Sequence, residues 1–316
     1  MRKGGAPLEF LYWLESIRNP LLDKLMGAVT YLGDELFFIL IALLIYWCRN
    51  KQEGYYLLFV GFFGTMINQF LKIFFRIPRP WVKDPQFTIV ESARAGAEGY
   101  SFPSGHTQSA VGNFGALARW ERGWGKRLLC LCLILLVSFS RMYLGVHTPL
   151  DVGVSLLVGT VLIVTFYPLI RKAEEKPRVM AGLIAFMLLC APVFVLYANC
   201  GNIPVSGEEA MANLASARKN SFSLLGALLG FAVAYPVERK YIRFTEQGSL
   251  GAQLCKLLLG LGGLLGVKEG LKALFSLCGW NGMWLHGLRY CAVVLFAALV
   301  WPLTFPLWNK LCKKRG

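Results

Sequence analysis

About nine apolar segments, each near the length that a bilayer requires, constrain the fold of this chain more than any other feature. They cover roughly residues 26–48, 55–75, 104–120, 128–146, 149–170, 179–198, 221–236, 250–277 and 288–309. Charged residues make up only 16% of the chain, which excludes a soluble enzyme, and 14% aromatic residues exclude disorder. We therefore predict an all-α, polytopic transmembrane helical bundle of about nine spans.

An amphipathic segment precedes these spans. Phe10, Trp13 and Leu14 recur at helical spacing between charged residues. This pattern predicts one interfacial helix over residues 8–25, with these three side chains in the acyl boundary.

The net charge of +15 indicates membrane topology and not binding to nucleic acid. Lysines and arginines cluster between apolar segments, at 119–127 and 171–178, and in the tail 310–315. By the positive-inside rule these clusters face the cytoplasm. We therefore predict a multi-pass protein of the cell membrane with a cytoplasmic C-terminus. The N-terminus and the loops 76–103 and 140–148 are then extracytoplasmic.

The cysteines follow no metal-ligand spacing, and most of them lie in apolar segments. Cys200 and Cys278 fall in predicted loops. They could be bridged if both face an oxidising compartment.

Two polar clusters occur on the predicted outer side. Lys72 and Arg79 lie at the end of the second span, where Pro78 and Pro80 break the helix so that Arg79 can bend back towards Lys72. Pro103-Ser104-Gly105-His106 opens the third span, with Pro103 in the first turn of a helix whose free N–H groups bind anions. The alternatives are interfacial snorkelling for the cations and close helix packing for the small residues.

A third cluster contains Arg141, His147 and Asp151. Thr148 suits the N-cap and Pro149 the first position of a helix, which places Asp151 one turn from His147. The carboxylate can then accept a proton from one ring nitrogen and leave the other as a nucleophile or base. The alternative is a purely structural His–Asp pair.

Together, these clusters describe a phosphate pocket with three cations, an acid and a nucleophile. The chain has no Walker glycine loop and no acidic cluster suited to Mg²⁺. The chemistry that this implies is phosphoryl transfer without a metal or another cofactor.

The three clusters match, at every specified position, the signature motifs of the type 2 phosphatidic acid phosphatase superfamily, which residues 30–170 resemble. The resemblance implies that His147 is the nucleophile, Asp151 its orienting partner and His106 the acid for the leaving group. It also implies that the phosphate ligands are Lys72, Arg79, Ser104, Gly105 and Arg141. The nine-span layout is similar to that of glucose-6-phosphatase and of sphingosine-1-phosphate phosphatases. We divide the chain into the interfacial helix (1–25), a catalytic core (26–172) and a transmembrane extension of the same bundle (173–316).

The resulting hypothesis is an integral membrane phosphatase that acts on a lipid phosphate or a polyprenyl diphosphate through a phosphohistidine. The loop 81–102 carries Phe87, Ile89, Val90, Tyr100 and Phe102, an apolar lining that suits a lipid. Asp34 and Glu35 are candidates for the pocket mouth because ionisable groups inside a span usually serve a site. The alternatives are a soluble sugar phosphate as substrate, a lipid phosphotransferase, and a transporter or scramblase that merely binds phosphorylated lipid.

Overall fold

The computed structural model describes residues 6–312, and this part of the chain consists of helices and loops without strands. The helices are α1 (Ala6–Ser16), α2 (Pro20–Thr30), α3 (Glu35–Cys48), α4 (Lys51–Phe75), α5 (Pro80–Lys83), α6 (Gly105–Ala110), α7 (Ala116–Trp120), α8 (Trp124–Tyr143), α9 (Pro149–Glu175), α10 (Pro177–Cys200), α11 (Glu208–Val237), α12 (Leu250–Leu277), α13 (Trp284–Leu295) and α14 (Phe305–Leu311). One wide helical turn, Val111–Gly115, connects α6 to α7. The predicted all-α fold is confirmed.

Six helical stretches within residues 6–312 are long and apolar enough to cross a bilayer. They are Lys51–Lys83, Pro149–Glu175, Pro177–Cys200, Glu208–Ile242, Leu250–Leu277 and Trp284–Leu311. A seventh is obtained if Pro20–Gly33 and Glu35–Cys48, which are bent by 48° relative to each other, form one span. The multi-pass character is therefore confirmed.

Two of the predicted spans are absent from this set. The helical stretch from Gly105 to Trp120 is only about 24 Å long at 1.5 Å per residue, shorter than a hydrocarbon core of about 30 Å. The other, α8, carries Lys126, Arg127 and Arg141. The count of nine spans stays a prediction.

The prediction of one continuous N-terminal helix over residues 8–25 is wrong. The chain breaks after Ser16 and starts a new helix at Pro20, because Asn19 caps α2 by accepting a hydrogen bond from the Leu22 N–H at 3.0 Å. Asparagine at the N-cap followed by proline is a strong start signal, and it overrides the continuous apolar pattern.

The packing of α1 also corrects two expectations about lipid contacts. Leu14 is fully buried beside Leu11, whereas Trp13 is 56% exposed, so Leu14 belongs to the core and not to the acyl boundary. The loop residues Phe87 and Ile89 complete this cluster. They therefore cover the N-terminal helix instead of lining a lipid pocket.

The chain forms two compact units. The first comprises residues up to Ile39, Tyr56–Leu169 and Asn202–Ala217, and it contains all the candidate site residues named above. The second comprises Leu40–Tyr55, Ile170–Gly201 and the chain from Arg218 onward.

Within the second unit, polar contacts connect the region around residues 47–51 to the C-terminal half of the chain. The Trp47 indole donates to the Ala297 carbonyl at 2.9 Å, and the Lys51 ammonium pairs with the Glu238 carboxylate at 2.6 Å.

Cys200 and Cys278 are free and exposed. The predicted division at residues 25 and 172 stays a prediction. Part of the predicted basic tail 310–315 lies outside the described residues.

Candidate active site

The first site segment is the end of α4 and the loop that follows. Lys72 lies buried in the last turn of α4, and its Nζ donates to the Tyr100 carbonyl. Directly after the helix, Arg76 adopts φ 51°, a left-handed conformation that commonly ends helices. The chain then turns, and buried Arg79 precedes the short helix α5.

The Arg79 guanidinium joins two loops. Its Nε donates to the Gly99 carbonyl at 3.0 Å and its Nη2 to the Glu98 carbonyl at 2.8 Å. On the other side, Nη1 lies 3.0 Å from the Val146 carbonyl oxygen and 3.0 Å from His147 Nε2. Arg79 therefore holds the segment before α9 against the loop before α6.

The contact with Arg79 assigns the tautomer of His147. Arginine has only N–H donors, so His147 Nε2 accepts this hydrogen bond and carries the lone pair. The ring proton is then on Nδ1, which lies 3.5 Å from Asp151 Oδ2. Burial and the nearby Arg79 charge lower the pKa of His147 well below its usual range. The imidazole is therefore neutral, with its nucleophilic nitrogen on the side of the cations.

The start of α9 positions Asp151. The Thr148 N–H donates to Asp151 Oδ2 at 2.8 Å, and the Asp151 N–H lies 3.4 Å from Thr148 Oγ1, which is a reciprocal capping arrangement. The Ser101 hydroxyl donates to the same Oδ2 at 2.6 Å. The Ser101 hydroxyl and the Thr148 N–H therefore fix the carboxylate oxygen that faces His147. The predicted N-cap at Thr148 and helix start at Pro149 are confirmed.

The second site segment differs from the prediction by one residue. Pro103 was predicted in the first turn, but the helix α6 begins later, with Ser104 as its cap, whose side chain accepts from the Thr107 N–H. Pro103 lies before the cap and takes no part in the first turn. A Cβ on Gly105 would meet only Asn68 Oδ1, at 3.9 Å, so the protein itself leaves space above this backbone. Such space allows a ligand to approach the first N–H groups of α6.

Arg141 is the most incompletely paired of the buried site cations. Its Nη1 donates to the Thr30 hydroxyl at 2.8 Å, but its buried Nε and Nη2 find no hydrogen-bond partner among residues 6–312. An unsatisfied buried donor is costly, and a guanidinium edge with two free N–H groups matches two oxygens of a phosphate. This edge is therefore ready for an anion.

His106 lies within the field of the three cations. Its ring is partly exposed near Gly96, and the charges of Arg141, Arg79 and Lys72 all act on it. The fold thus brings together residues from three segments that are separated by tens of positions in the chain. The candidate acid lies beside the cations that would hold the phosphate.

The two candidates for the pocket mouth differ in their surroundings. Asp34 is partly buried and caps α3 by accepting from the Leu36 N–H at 2.8 Å, and its charge acts on Arg141. Glu35 is exposed in the first turn of α3. A cap explains Asp34 without a substrate, and a position at the mouth stays a prediction for both.

Two supporting residues were missed by the sequence reasoning. Ser101 holds Asp151 and Thr30 holds Arg141, yet both are single hydroxyl residues without a motif. Only the hydroxyl itself, in an otherwise apolar or loop segment, could have drawn attention to them.

Comparisons with known proteins identify the family of this chain and several relatives. Residues 53–175 match the PAP2 superfamily, and residues 222–313 match the transmembrane extension of PAP2 superfamily phosphatases. The chain is 31% identical over 155 residues to undecaprenyl-diphosphatase BcrC of Bacillus subtilis, covering 48% of this chain and 77% of that protein. It is 33% identical over 217 residues to a probable sphingosine-1-phosphate phosphatase of Dictyostelium discoideum, covering 63% of this chain.

The match to the Dictyostelium protein spans about half (52%) of that protein's length. A crystal structure of Aquifex aeolicus LpxE superimposes with a TM-score of 0.45 at 28% identity, covering 52% of this chain and 96% of that one. The fold defines a multi-pass membrane protein whose candidate site residues all lie in its first unit. The chain belongs to the PAP2 superfamily.

Proposed function

We propose that this protein is an integral membrane phosphatase that removes the terminal phosphate of a lipid phosphate or a polyprenyl diphosphate. The observation that carries the proposal is the state of His147, whose Nε2 faces Arg79 as an acceptor while its Nδ1 faces Asp151. A structural His–Asp pair does not require a buried arginine on the opposite ring nitrogen. A nucleophile for phosphoryl transfer needs its proton on the ring nitrogen away from phosphorus and a cation beside the attacking nitrogen, and this arrangement supplies both.

In the first half-reaction, the substrate phosphate displaces one hydrogen bond and forms several. The free Nε and Nη2 of Arg141 bind two phosphate oxygens, while Arg79 exchanges His147 Nε2 for another oxygen. The released Nε2 lone pair attacks phosphorus, and the bond from phosphorus to the leaving oxygen breaks. The negative charge of the phosphate offsets that of the three cations and lets His106 carry a proton, which His106 donates to that oxygen. Lys72 adds charge that stabilises the transferring group.

In the second half-reaction, water attacks the phosphohistidine. His106, now neutral, takes the water proton as the P–N bond breaks, and the electron pair returns to Nε2. Inorganic phosphate then leaves. Asp151 stays ionised throughout and stabilises the positive charge of the phosphorylated ring. We expect no metal ion to take part.

Two features support a lipid as the substrate. Trp13 and Leu21, on α1 and α2, are 56% and 77% exposed, which suits helices that lie at a membrane interface. The relatives named above include a probable sphingosine-1-phosphate phosphatase and an undecaprenyl-diphosphatase, both with lipid substrates in their names. A phosphate bound at interface depth leaves its chains in the bilayer.

The catalytic face is extracytoplasmic in this proposal. The basic clusters at 119–127 and 171–178 would then lie on the cytoplasmic side. Ser92 is exposed in the loop before α6, so Ser92→Cys in a cysteine-free background reports the side of this loop. Labelling by an impermeant maleimide in intact cells is expected, and labelling only after permeabilisation would reverse the orientation.

Phosphate release by the detergent-solubilised protein, with EDTA present, tests the function itself. Dioctanoyl phosphatidic acid, a long-chain homologue, a polyprenyl diphosphate and glucose 6-phosphate serve as substrates, with His147→Ala as the control. We expect a higher kcat/KM for the lipids and no turnover by the variant. Preference for glucose 6-phosphate would overturn the lipid assignment, and phosphate found only on an acceptor lipid would indicate a phosphotransferase.

A further inference from the structure

The N-terminal segment contributes a buried hydroxyl to the site from outside the range that matches the PAP2 superfamily. Thr30 is the last residue of α2, and the matched range begins at residue 53. Its Oγ1 accepts a hydrogen bond from Arg141 Nη1 at 2.8 Å, and both residues are buried. The hydroxyl therefore contacts a candidate phosphate ligand directly.

The nitrogen that Thr30 binds determines which edge of the guanidinium remains open. Nη1 lies on the Cδ side of the group, whereas Nε and Nη2 together form the side-on pair that suits two oxygens of one phosphate. This pair has no hydrogen-bond partner among residues 6–312. We propose that Thr30 is a positioning residue that holds Nη1 so that the Nε–Nη2 edge of Arg141 faces the phosphate. This inference rests on the proposed phosphatase function.

The backbone around Thr30 packs closely against the site. The tight helical turn Tyr31–Gly33 follows Thr30, and a Cβ on Gly33 would lie 2.6 Å from the His106 carbonyl oxygen and 2.7 Å from Val137 Cγ1. Glycine is therefore required for this approach to α6 and α8. The turn that directly follows Thr30 is therefore fixed against the helices that bear His106 and Arg141.

The start of α2 is also attached to α8, the helix that bears Arg141. The Tyr143 hydroxyl donates to Asp23 Oδ1 at 2.8 Å and lies 3.4 Å from the Asn19 N–H. Arg18 Nε donates to the Tyr143 carbonyl at 3.0 Å. Contacts at both ends of α2 therefore fix its position along α8, so that the Thr30 hydroxyl has a defined location relative to Arg141.

Thr30→Val tests this role because valine keeps the volume and removes the hydroxyl. We expect kcat/KM for dioctanoyl phosphatidic acid to fall about ten- to hundredfold, with a parallel loss of inhibition by orthovanadate. Thr30→Ser, which keeps the acceptor, should restore activity to within about threefold of the wild type. Thr160→Val is the matched control, since Thr160 is exposed and its hydroxyl donates to the Leu156 carbonyl of its own helix.

A double-mutant cycle with Arg141→Lys distinguishes positioning from a general structural effect. Lysine has no side-on pair to orient, so Thr30→Val should have little further effect in the Arg141→Lys background. The thermal midpoint and gel-filtration profile of each variant are measured alongside. If Thr30→Val does not fold, Thr30→Ala replaces it in the same cycle.

The outcomes separate this inference from the proposed function. Full activity of Arg141→Lys would contradict the phosphate-binding role of Arg141 and hence the proposed function at this residue. Loss of activity in Arg141→Lys combined with normal activity in Thr30→Val would overturn the role of Thr30 alone. Effects that multiply in the double variant, or a Thr30→Ser variant as impaired as Thr30→Val, would also overturn it.

Discussion

Replacing Asp151 by asparagine should remove a charge from the site while retaining its geometry. Oδ2 accepts hydrogen bonds from the Ser101 hydroxyl and the Thr148 N–H, so the asparagine must place its oxygen at that position. The same oxygen then faces His147 Nδ1, and the tautomer of the ring is retained. The substitution therefore isolates the electrostatic contribution of the carboxylate.

The expected magnitude follows from the separation of the two groups. The ring of His147 gains positive charge as Nε2 bonds to phosphorus, and Asp151 Oδ2 lies 3.5 Å from Nδ1. Unit charges at this distance interact by about 5 kcal/mol at an effective dielectric constant of about 20. At about 1.4 kcal/mol per tenfold change in rate, kcat should fall by about three orders of magnitude.

Steady-state phosphate release from dioctanoyl phosphatidic acid measures this effect, with kcat and KM determined separately. Glu174→Gln is the control because it makes the same chemical change in the exposed last turn of α9, where Glu174 pairs with Arg171 at 3.3 Å. A kcat for Asp151→Asn within tenfold of the wild type, with the control unchanged, would refute the electrostatic role of the carboxylate.

Three further results are expected. Ser101→Ala removes a hydrogen bond to Asp151, the carboxylate partner of His147. Because hydrogen bonds to charged groups contribute about 1.5–3 kcal/mol, kcat should fall about ten- to hundredfold with KM unchanged. An unchanged kcat would contradict this. Gly145→Ala should lower the thermal midpoint of the solubilised protein, because Gly145 has φ 81° and a Cβ would lie 2.6 Å from Arg18 Nη2. Gly153→Ala, where a Cβ meets nothing within 4 Å, is the control, and equal midpoints for the two variants would refute the strain argument. Burial lowers the pKa of His147, so its neutral nucleophilic form persists as the pH falls. The acidic limb of the pH profile of kcat/KM should therefore have its midpoint below about 6.5, the usual pKa of histidine. A midpoint above pH 7 would contradict this.

The sequence predicts those parts of the site that depend on local structure. Thr148, Pro149 and Asp151 carry a helix-start pattern within four residues, and α9 begins where this pattern places it. The break between α1 and α2 has a similar local pattern, Asn19 followed by Pro20, but the apolar periodicity continues on both sides of it and predicts one helix. At this position the local capping residues determine the helix boundary, and the apolar periodicity does not.

The remaining parts depend on which segments meet in the folded chain. The contact between Thr30 and Arg141 joins residues 111 positions apart, and that between Ser101 and Asp151 joins residues 50 apart. No local pattern specifies such partners. Hydropathy also cannot distinguish an apolar residue that faces lipid from one in the core, so Phe87 looked like a pocket residue but packs beneath α1.

A phosphoenzyme trapped during turnover tests the central claim most directly. The reaction with a lipid phosphate labelled in its phosphoryl group is quenched in alkali, and the peptides are examined by mass spectrometry. We expect phosphate on His147 Nε2, stable in base, lost in acid and absent from His147→Ala, which should have no activity. Phosphate on another residue, or near-normal turnover by His147→Ala, would contradict it.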